Sequence, residues 1–445
     1  MVTPGAASTP SASGAPADRW SDPREGLRAG RLALPGGATR LVVVAAHPDE
    51  ATPAAGGLMA VAARAGLEVV VVLLTDGSRP GSPTVDPEEE RSGRAEKSGR
   101  ALHALAAAGT LQQLGLADGS VADHEEAVVT AVVDLVGEEG RHTLLVAPWR
   151  DDGVADHDAA GRAAAVAARR TDATLWEYPV RLWNRCDPET APWPHLHVLP
   201  LPEDVRESKR AAVPGNRTQP ASLSDEAGGS AVLRDGMPEH VDALDEAFLL
   251  GLEPVRDDSL ERLHDSDADP WHVRSSWYEQ RKRLVTLAAL PHPRYGRGLE
   301  VGGSVGALAA DLAGRCDELV VVDESAAATA AARASLDGVC VLRASVPEEW
   351  PDGDFDLVVV SEVGYFLSPE RLRRLVARAE ASLSDDGVVV LCHWRHPVRG
   401  WPLDGARVHE IWREESGLPV VATHVEADFR LEVLTRTSVH RARPE

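Results

Sequence analysis

The sequence predicts two three-layer α/β/α domains in tandem, with mostly parallel sheets and a flexible N-terminal tail. Three observations predict it. Short Val- and Leu-rich runs alternate with helix-period segments through both halves of the chain, as in βαβ units whose strands are buried on both faces. The length, 445 residues, exceeds a usual domain of about 150 residues well enough for two cores. Charge rises and strand signals vanish from residue 201 to residue 265, so the boundary is set near 255, giving a tail over 1–36 and domains over 37–255 and 256–445.

The tail is rich in Ala, Ser, Thr, Gly and Pro without helical or strand period, too little apolar surface to offset ordering. From Arg40 the runs LVVVAA (41–46) and EVVVVLL (68–74) flank a Gly-containing helical stretch over 55–66. A polar loop (77–87) leads to helices near 88–108 and 124–138, a strand over 142–148 and an Ala-rich helix over 157–170. LSDEAGGSAVLRDGMPEH (223–240) reads as a surface loop. The second series runs helix 274–289, strand RGLEV, helix 305–314 and strand 318–323. It continues with helix 325–335, strands 339–344 and 356–362, helix 369–383, strand 387–394, and apolar segments near 418–424 and 428–435. Both halves are Rossmann-like.

Composition narrows the function. A formal charge of -24 argues against nucleic-acid binding, which needs concentrated Lys and Arg. The four cysteines lie far apart with no C-x-x-C pair, which fits a reducing cytoplasm and no cysteine metal site. No apolar run approaches the roughly 20 residues of a membrane span, and no secretion signal is expected. The oligomeric state is left open.

His47-Pro48-Asp49-Glu50 follows the first strand and Asp151-Asp152-Gly153-Val154-Ala155-Asp156-His157 follows the strand 142–148. Both clusters therefore fall at one edge of the sheet, where open α/β sheets bind ligands. Two imidazoles and a carboxylate with one open position suit catalytic Zn2+, and an adjacent carboxylate could accept a proton from water. AAHPDEATPAAGG and VADH resemble the PIG-L/LmbE family of zinc-dependent N-deacetylases of N-acetylglucosamine-type groups. LTDGS (74–78), WEYPVRLW (176–183) and KRAAVPGNRTQ (209–219) extend the resemblance over roughly 38–250. It implies His47, Glu50 and His157 as metal ligands, Asp49 as general base and Asp156 as the orienting partner. Two departures stand out. Glu50 replaces the usual ligand Asp, and Val154 replaces a His expected to help stabilise an oxyanion, a donor whose loss can cost about 10²–10³ in rate. Trp176, Trp183 and Trp193 could stack a sugar ring or pack in a core, and Arg91 and Arg94 could contact substrate or sit on a solvated face.

In the second half Glu300-Val-Gly302-Gly-Ser304-Val-Gly306 joins a strand to a helix, and Asp323 ends the next strand, placed to accept ribose hydroxyls. E-x-G-x-S-x-G suits S-adenosylmethionine better than a dinucleotide. The block 258–436 resembles class I SAM-dependent methyltransferases, and DADPW, SWYEQRK, LEVGGSVG and FDLVVVSEVGYFLS resemble the NodS-like amino-sugar N-methyltransferases among them. The resemblance implies that Glu300, Gly302, Ser304 and Gly306 line the methionine portion and Asp323 the ribose. Ser345 and Val346 lie near adenine, and Trp277, Tyr278 and Arg281 belong to a helix closing over the cofactor. Gly303, where relatives carry another small residue, is expected to be neutral. Glu362 and Tyr365 after the fourth strand, and His393 and His396 after the fifth, are placed to face the acceptor, and each alone could be structural; Glu362, expected to touch cofactor or substrate, and His393, whose pKa suits a base near neutrality, are the catalytic candidates, and the base is left open.

The sequence thus predicts a bifunctional enzyme for a small-molecule amino sugar or glycoconjugate: zinc-dependent N-deacetylation, then SAM-dependent N-methylation of the freed amine. The alternative is a methyltransferase whose first domain is a degenerate deacetylase kept as a binding scaffold.

Overall fold

The computed structural model describes residues 30–48, 50–76, 96, 98–106, 108–182, 189, 191–213 and 245–436. The chain forms two compact units, Met1–Arg169 with Ala173–Val255, and Arg170–Asp172 with Arg256–Glu445. Both are α/β units with mostly parallel sheets. Among the described residues no helix is long and apolar enough to cross a membrane.

In the first unit the Val- and Leu-rich strands β2 (Arg40–Ala45), β3 (Glu68–Thr75) and β5 (Thr143–Pro148) are almost wholly buried, and each pairs in parallel with its neighbours. With β1 (Gly30–Arg31), β4 (Thr110–Leu116), β6 (Thr174–Tyr178), β7 (Leu196–Leu199) and β8 (Glu246–Leu249) they make an eight-stranded sheet, order β1-β7-β8-β6-β5-β2-β3-β4. The order reverses between β2 and β5, so the residues after these two strands share a crevice. Helices α1 (Ala51–Arg64), α2 (Glu125–Val136), α3 (Ala155–Thr171) and α4 (Glu203–Ala212) cover the sheet.

Several expectations change here. The expected tail falls partly outside the described residues, but Gly30–Arg31 pair with β7 and Leu32 and Leu34 pack on the core, so the ordered unit begins before residue 37. The loop 77–87 and the segment 223–240 lie outside the described residues, as does most of the helix expected near 88–108. Strand β4 was not expected because four of its seven residues, Thr110, Gln112, Gln113 and Gly115, are non-apolar and it alternates between exposed and half-buried.

Helix α3 reaches the crevice through its small residues. Ala159, Ala160, Ala163, Ala164 and Ala167 are buried, and a Cβ on Gly161 would sit 2.5 Å from the Pro148 carbonyl oxygen and 2.7 Å from the Arg150 backbone. The close approach sets His157, one turn earlier, at the end of β5.

The second unit has strands β9 (Tyr295–Val301), β10 (Cys316–Asp323), β11 (Cys340–Arg343), β12 (Phe355–Ser361), β13 (Leu383–Trp394), β14 (Val420–Val425) and β15 (Phe429–Thr435). Their order is β11-β10-β9-β12-β13-β15-β14, with β15 antiparallel to both neighbours and the rest parallel. The reversal lies between β9 and β12. Helices α5 (Ser259–Ser266), α6 (Trp277–Ala289), α7 (Ala307–Ala313), α8 (Ala326–Ser335), α9 (Pro369–Ala381) and α10 (Gly405–Glu415) complete the unit. The N-caps Ser325, Ser368 and Asp404 each accept the N–H three residues on, which fixes where α8, α9 and α10 begin.

Replacing a helical glycine by alanine ordinarily stabilises a helix by about 1 kcal/mol. At Gly161 the clash with Pro148 reverses the sign. Gly161→Ala is expected to destabilise the first unit by about 1–3 kcal/mol, read as a lower urea midpoint, and an increase in midpoint would contradict the packing described.

Candidate active sites

The first site forms where β2 and β5 end. His47 follows β2, Glu50 precedes α1, and Asp156 and His157 lie in the first turn of α3; all four are buried. One carboxylate oxygen, Glu50 Oε1, lies 2.5 Å from both His47 Nδ1 and His157 Nε2. The opposite ring nitrogens also meet carboxylates. His157 Nδ1 is 2.6 Å from Asp152 Oδ2, and His47 Nε2 is 2.6 Å from Asp118 Oδ1 and 3.2 Å from Asp156 Oδ2.

A neutral imidazole has one N–H, so a ring flanked by carboxylates on both sides sets one lone pair against an anion unless a second proton or a metal cation lies between them. Burial opposes charging either ring, yet the Glu50 carboxylate and the flanking aspartates outweigh it and hold both well above the usual histidine range, His157 at about 9. Burial likewise opposes ionisation of Glu50, but His157 and His47 hold it far below the usual carboxylate range. Such a donor set suits a metal ion, which replaces the protons between ring and carboxylate, and His47, Glu50 and His157 have ligand atoms close enough to share one.

Asp156 accepts the Gly119 and Val121 N–H groups at 2.7 and 3.1 Å while its Oδ2 faces His47, so it ties the loop after β4 to that ring. Asp152 accepts the Val180 and Arg181 N–H groups at 3.1 and 2.8 Å as it holds His157. Sequence reasoning gave Asp152 no role and missed Asp118, which follows the unexpected β4. Asp49, Trp183, Arg91 and Arg94 lie outside the described residues. Trp176 is a core residue, 3% exposed and 5.4 Å from the Phe248 ring, so it stacks no sugar; Trp193 packs on Leu182, Leu196 and Leu249.

The second site is a cavity of about 540 Å3 at the β9/β12 reversal. Glu300, Gly302, Ser304, Asp323, Val346, Tyr278, Glu362 and Tyr365 line it; Gly306 and Ser345 do not. Gly306 instead caps α7 at φ +81°, and Ser345 donates its N–H to Glu349 and its hydroxyl to Glu324. Gly302 adopts φ +75°, open to glycine at little cost. A Cβ on Gly303 would lie 2.1 Å from Val321 Cγ1, so the packing against β10 accommodates glycine there. Asp323 accepts the Ser304 and Ser325 N–H groups at 2.8 and 2.9 Å, which locks the loop after β9 to the end of β10. Among the described residues, buried side-chain atoms without a hydrogen-bond partner include three here: Glu300 Oε2, Ser304 Oγ and Tyr278 Oη. They lie on cavity-lining residues, which fits a polar cofactor able to satisfy them.

The acceptor end is organised by Glu362, at φ +58°. Lys282 Nζ donates to its Oε1 at 2.7 Å, and Trp394 N–H (3.0 Å) and the Tyr365 hydroxyl donate to Oε2. Burial opposes the Lys282 charge, but Glu362 and Glu279 outweigh it and keep the ammonium. Burial and the Glu362 charge hold the Tyr365 phenol protonated. Sequence reasoning missed Lys282 although it ends the quoted SWYEQRK. The expectation of His393 as a base is corrected. Its ring is fully buried, does not line the cavity, receives the Gly364 N–H on Nε2, and is held well below the usual histidine range by burial and by His409 and Lys282. His396 is exposed and pairs with Asp428.

Burial, then the Asp323 charge, lifts Glu300 from 4.5 to about 8. A raised carboxyl stabilises the fold below the unfolded value and loses that contribution as pH climbs to the folded value. In the cofactor-free protein Glu300→Gln should therefore gain melting temperature over wild type progressively from pH 4.5 to about 8, and a pH-independent difference would sink this assignment.

Residues 42–168 match the family model PIG-L: GlcNAc-PI de-N-acetylase, and residues 255–404 match that of Nodulation protein S (NodS). A Pseudomonas syringae protein assigned to the methyltransferases is 43% identical over 36% of this chain and 100% of its own, at a TM-score of 0.33. The N-methyltransferase NodS of Bradyrhizobium japonicum, solved with S-adenosyl-L-homocysteine, is 25% identical over 40% of this chain and 96% of its own, at a TM-score of 0.36. Curated proteins gave no match. The chain therefore carries a PIG-L deacetylase-family domain followed by a NodS-like methyltransferase domain.

Proposed function

We propose that the protein removes the acetyl group from an N-acetylated amino sugar or glycoconjugate and then methylates the freed amine. The observation that carries the reading is the pairing, in one chain, of a His47–Glu50–His157 donor cluster with a cavity whose buried polar atoms await a ligand.

In the first reaction, water and the amide give acetate and an amine. His47, Glu50 and His157 would hold Zn2+, which polarises the carbonyl and acidifies water when bound. Asp118, Asp156 and Asp152 fix the ring orientations through the far nitrogens. Asp49 is assigned the proton taken from water.

In the second reaction the amine takes a methyl group from S-adenosylmethionine, leaving S-adenosylhomocysteine, and the methylated nitrogen then releases a proton to water. Glu300, Ser304, Asp323 and Tyr278 are assigned to the cofactor. Positive charge moves from sulfur to nitrogen, and the fixed Glu362 carboxylate favours it there without reorganising. Order follows from chemistry: an amide nitrogen is a poor nucleophile, so hydrolysis comes first, and joining both sites in one chain raises the local concentration of the amine. The cytoplasm is the assigned compartment.

Val154, an apolar residue where an oxyanion donor is expected, favours a second reading in which the first unit binds substrate without hydrolysing it. Mass spectrometry of N-acetylated amino sugars incubated with protein, zinc and S-adenosylmethionine separates the two. The expected products show a loss of about 42 Da and then a gain of about 14 Da. His157→Ala abolishes the first step and zinc retention together, and Asp323→Ala only the second. Wild type that methylates free amines but never removes an acetyl group supports the second reading. Glu362→Gln is expected to lower methyl-transfer kcat by about 10²–10³ with cofactor affinity retained, measured by single-turnover transfer and titration calorimetry.

A further inference from the structure

Behind the acceptor end runs a buried chain of side chains that methyl transfer does not obviously need. His393 lies in β13, His409 in α10 and Glu432 in β15, each at most 1% exposed. The Gly364 N–H lies 3.2 Å from His393 Nε2, His393 Nδ1 lies 3.2 Å from His409 Nε2, and His409 Nδ1 lies 2.8 Å from Glu432 Oε2.

The ends of this chain fix its direction. A backbone N–H can only donate and a carboxylate can only accept, so each ring must be neutral and carry its proton on Nδ1. Glu432 is held as the carboxylate, against burial, by His409 and by the Arg430 guanidinium on its other oxygen. With His409 accepting from His393, Nε2 of His393 remains a lone pair aimed at Gly364.

That lone pair acts on a strained turn. Glu362 sits in the left-handed region, a conformation that persists for a non-glycine residue only when its surroundings over-determine it. Three consecutive residues of β13 supply the constraint: the Cys392 carbonyl accepts the Glu362 N–H at 2.9 Å, His393 accepts the Gly364 N–H, and the Trp394 N–H donates to the Glu362 carboxylate. The fit is close, since a Cβ on Gly364 would lie 3.0 Å from His393 Nε2 and 2.5 Å from Val408 Cγ1.

We propose that Glu432, His409 and His393 are positioning residues that hold the turn bearing Glu362 and Tyr365 in its transfer-competent geometry by fixing the His393 tautomer. The kinetic part rests on the methyltransferase reading of this cavity; the tautomer does not.

His409→Leu removes the acceptor for His393 Nδ1–H and lets the ring move its proton to Nε2, where it would confront the Gly364 N–H. His409→Gln keeps an acceptor toward His393 and a donor toward Glu432. In the full-length protein, His409→Leu should lower methyl-transfer kcat about ten- to hundredfold, with the KM for S-adenosylmethionine changed less than about threefold. His409→Gln should restore most of the rate. Imidazole 15N spectra of wild type should show both rings as neutral Nδ1–H tautomers, and His409→Leu should shift the Gly364 amide. An Nε2–H or doubly protonated His393 in wild type overturns the proposal, as do equal losses of kcat and cofactor affinity in both variants, the mark of a merely structural role. A wild type inactive on every amine tested removes the methyltransferase reading, and the spectra still decide the tautomer.

Discussion

Carboxylates removed from water must be answered by cations or N–H donors, and in both units this requirement decides where the functional side chains sit. Glu50, Asp152 and Asp156 are almost wholly buried around two imidazoles, and each aspartate also accepts two backbone N–H groups from loops after other strands. In the second unit Asp323 binds two loops through their N–H groups, and Glu362 gathers an ammonium, a phenol and a backbone N–H. The acids of both candidate sites are thus also fasteners of the loops around them. Removing one would loosen the loops as well as change the charge.

The sheets supply the common frame. Each reverses strand order once between parallel neighbours, β2 against β5 and β9 against β12, and each site lies at that reversal. Loops diverging from two adjacent strands open a crevice there without any special sequence. The two units then fill it differently. The first packs it with acid and imidazole, as suits an ion, while the second leaves a cavity of about 540 Å3.

Much of this was legible in the sequence. Val- and Leu-rich runs marked β2, β3, β5, β10, β12 and β13 because strands buried on both faces are largely apolar. The motifs at His47, His157, Glu300 and Asp323 were legible because each sits at a strand end or helix start, so local spacing carries the geometry. Strand β4 was not, since TLQQLGL pairs only at one edge and is half-exposed. Nor was the four-residue β8, whose Glu246 is buried by accepting the Gly57 and Leu58 N–H groups and pairing with Lys209. Asp118, Lys282 and the His409–Glu432 pair meet partners distant in sequence, as Asp152 does at Val180 and Arg181, and no local pattern announces such partners. His393 shows the reverse: its position near the end of a strand suggested a base, but its ring is buried away from the cavity.

The grip of β13 on the turn at Glu362 has a consequence for how this site can change. Two of its three contacts, at Cys392 and Trp394, are made by main-chain atoms of a sheet strand. The side chains of Trp394, and of Val363 and Phe366 in the turn, line the cavity and take no part in these main-chain contacts. The lining of the cavity and the hold on the turn are thus written in different atoms of the chain, so a lineage could vary the first while keeping the second.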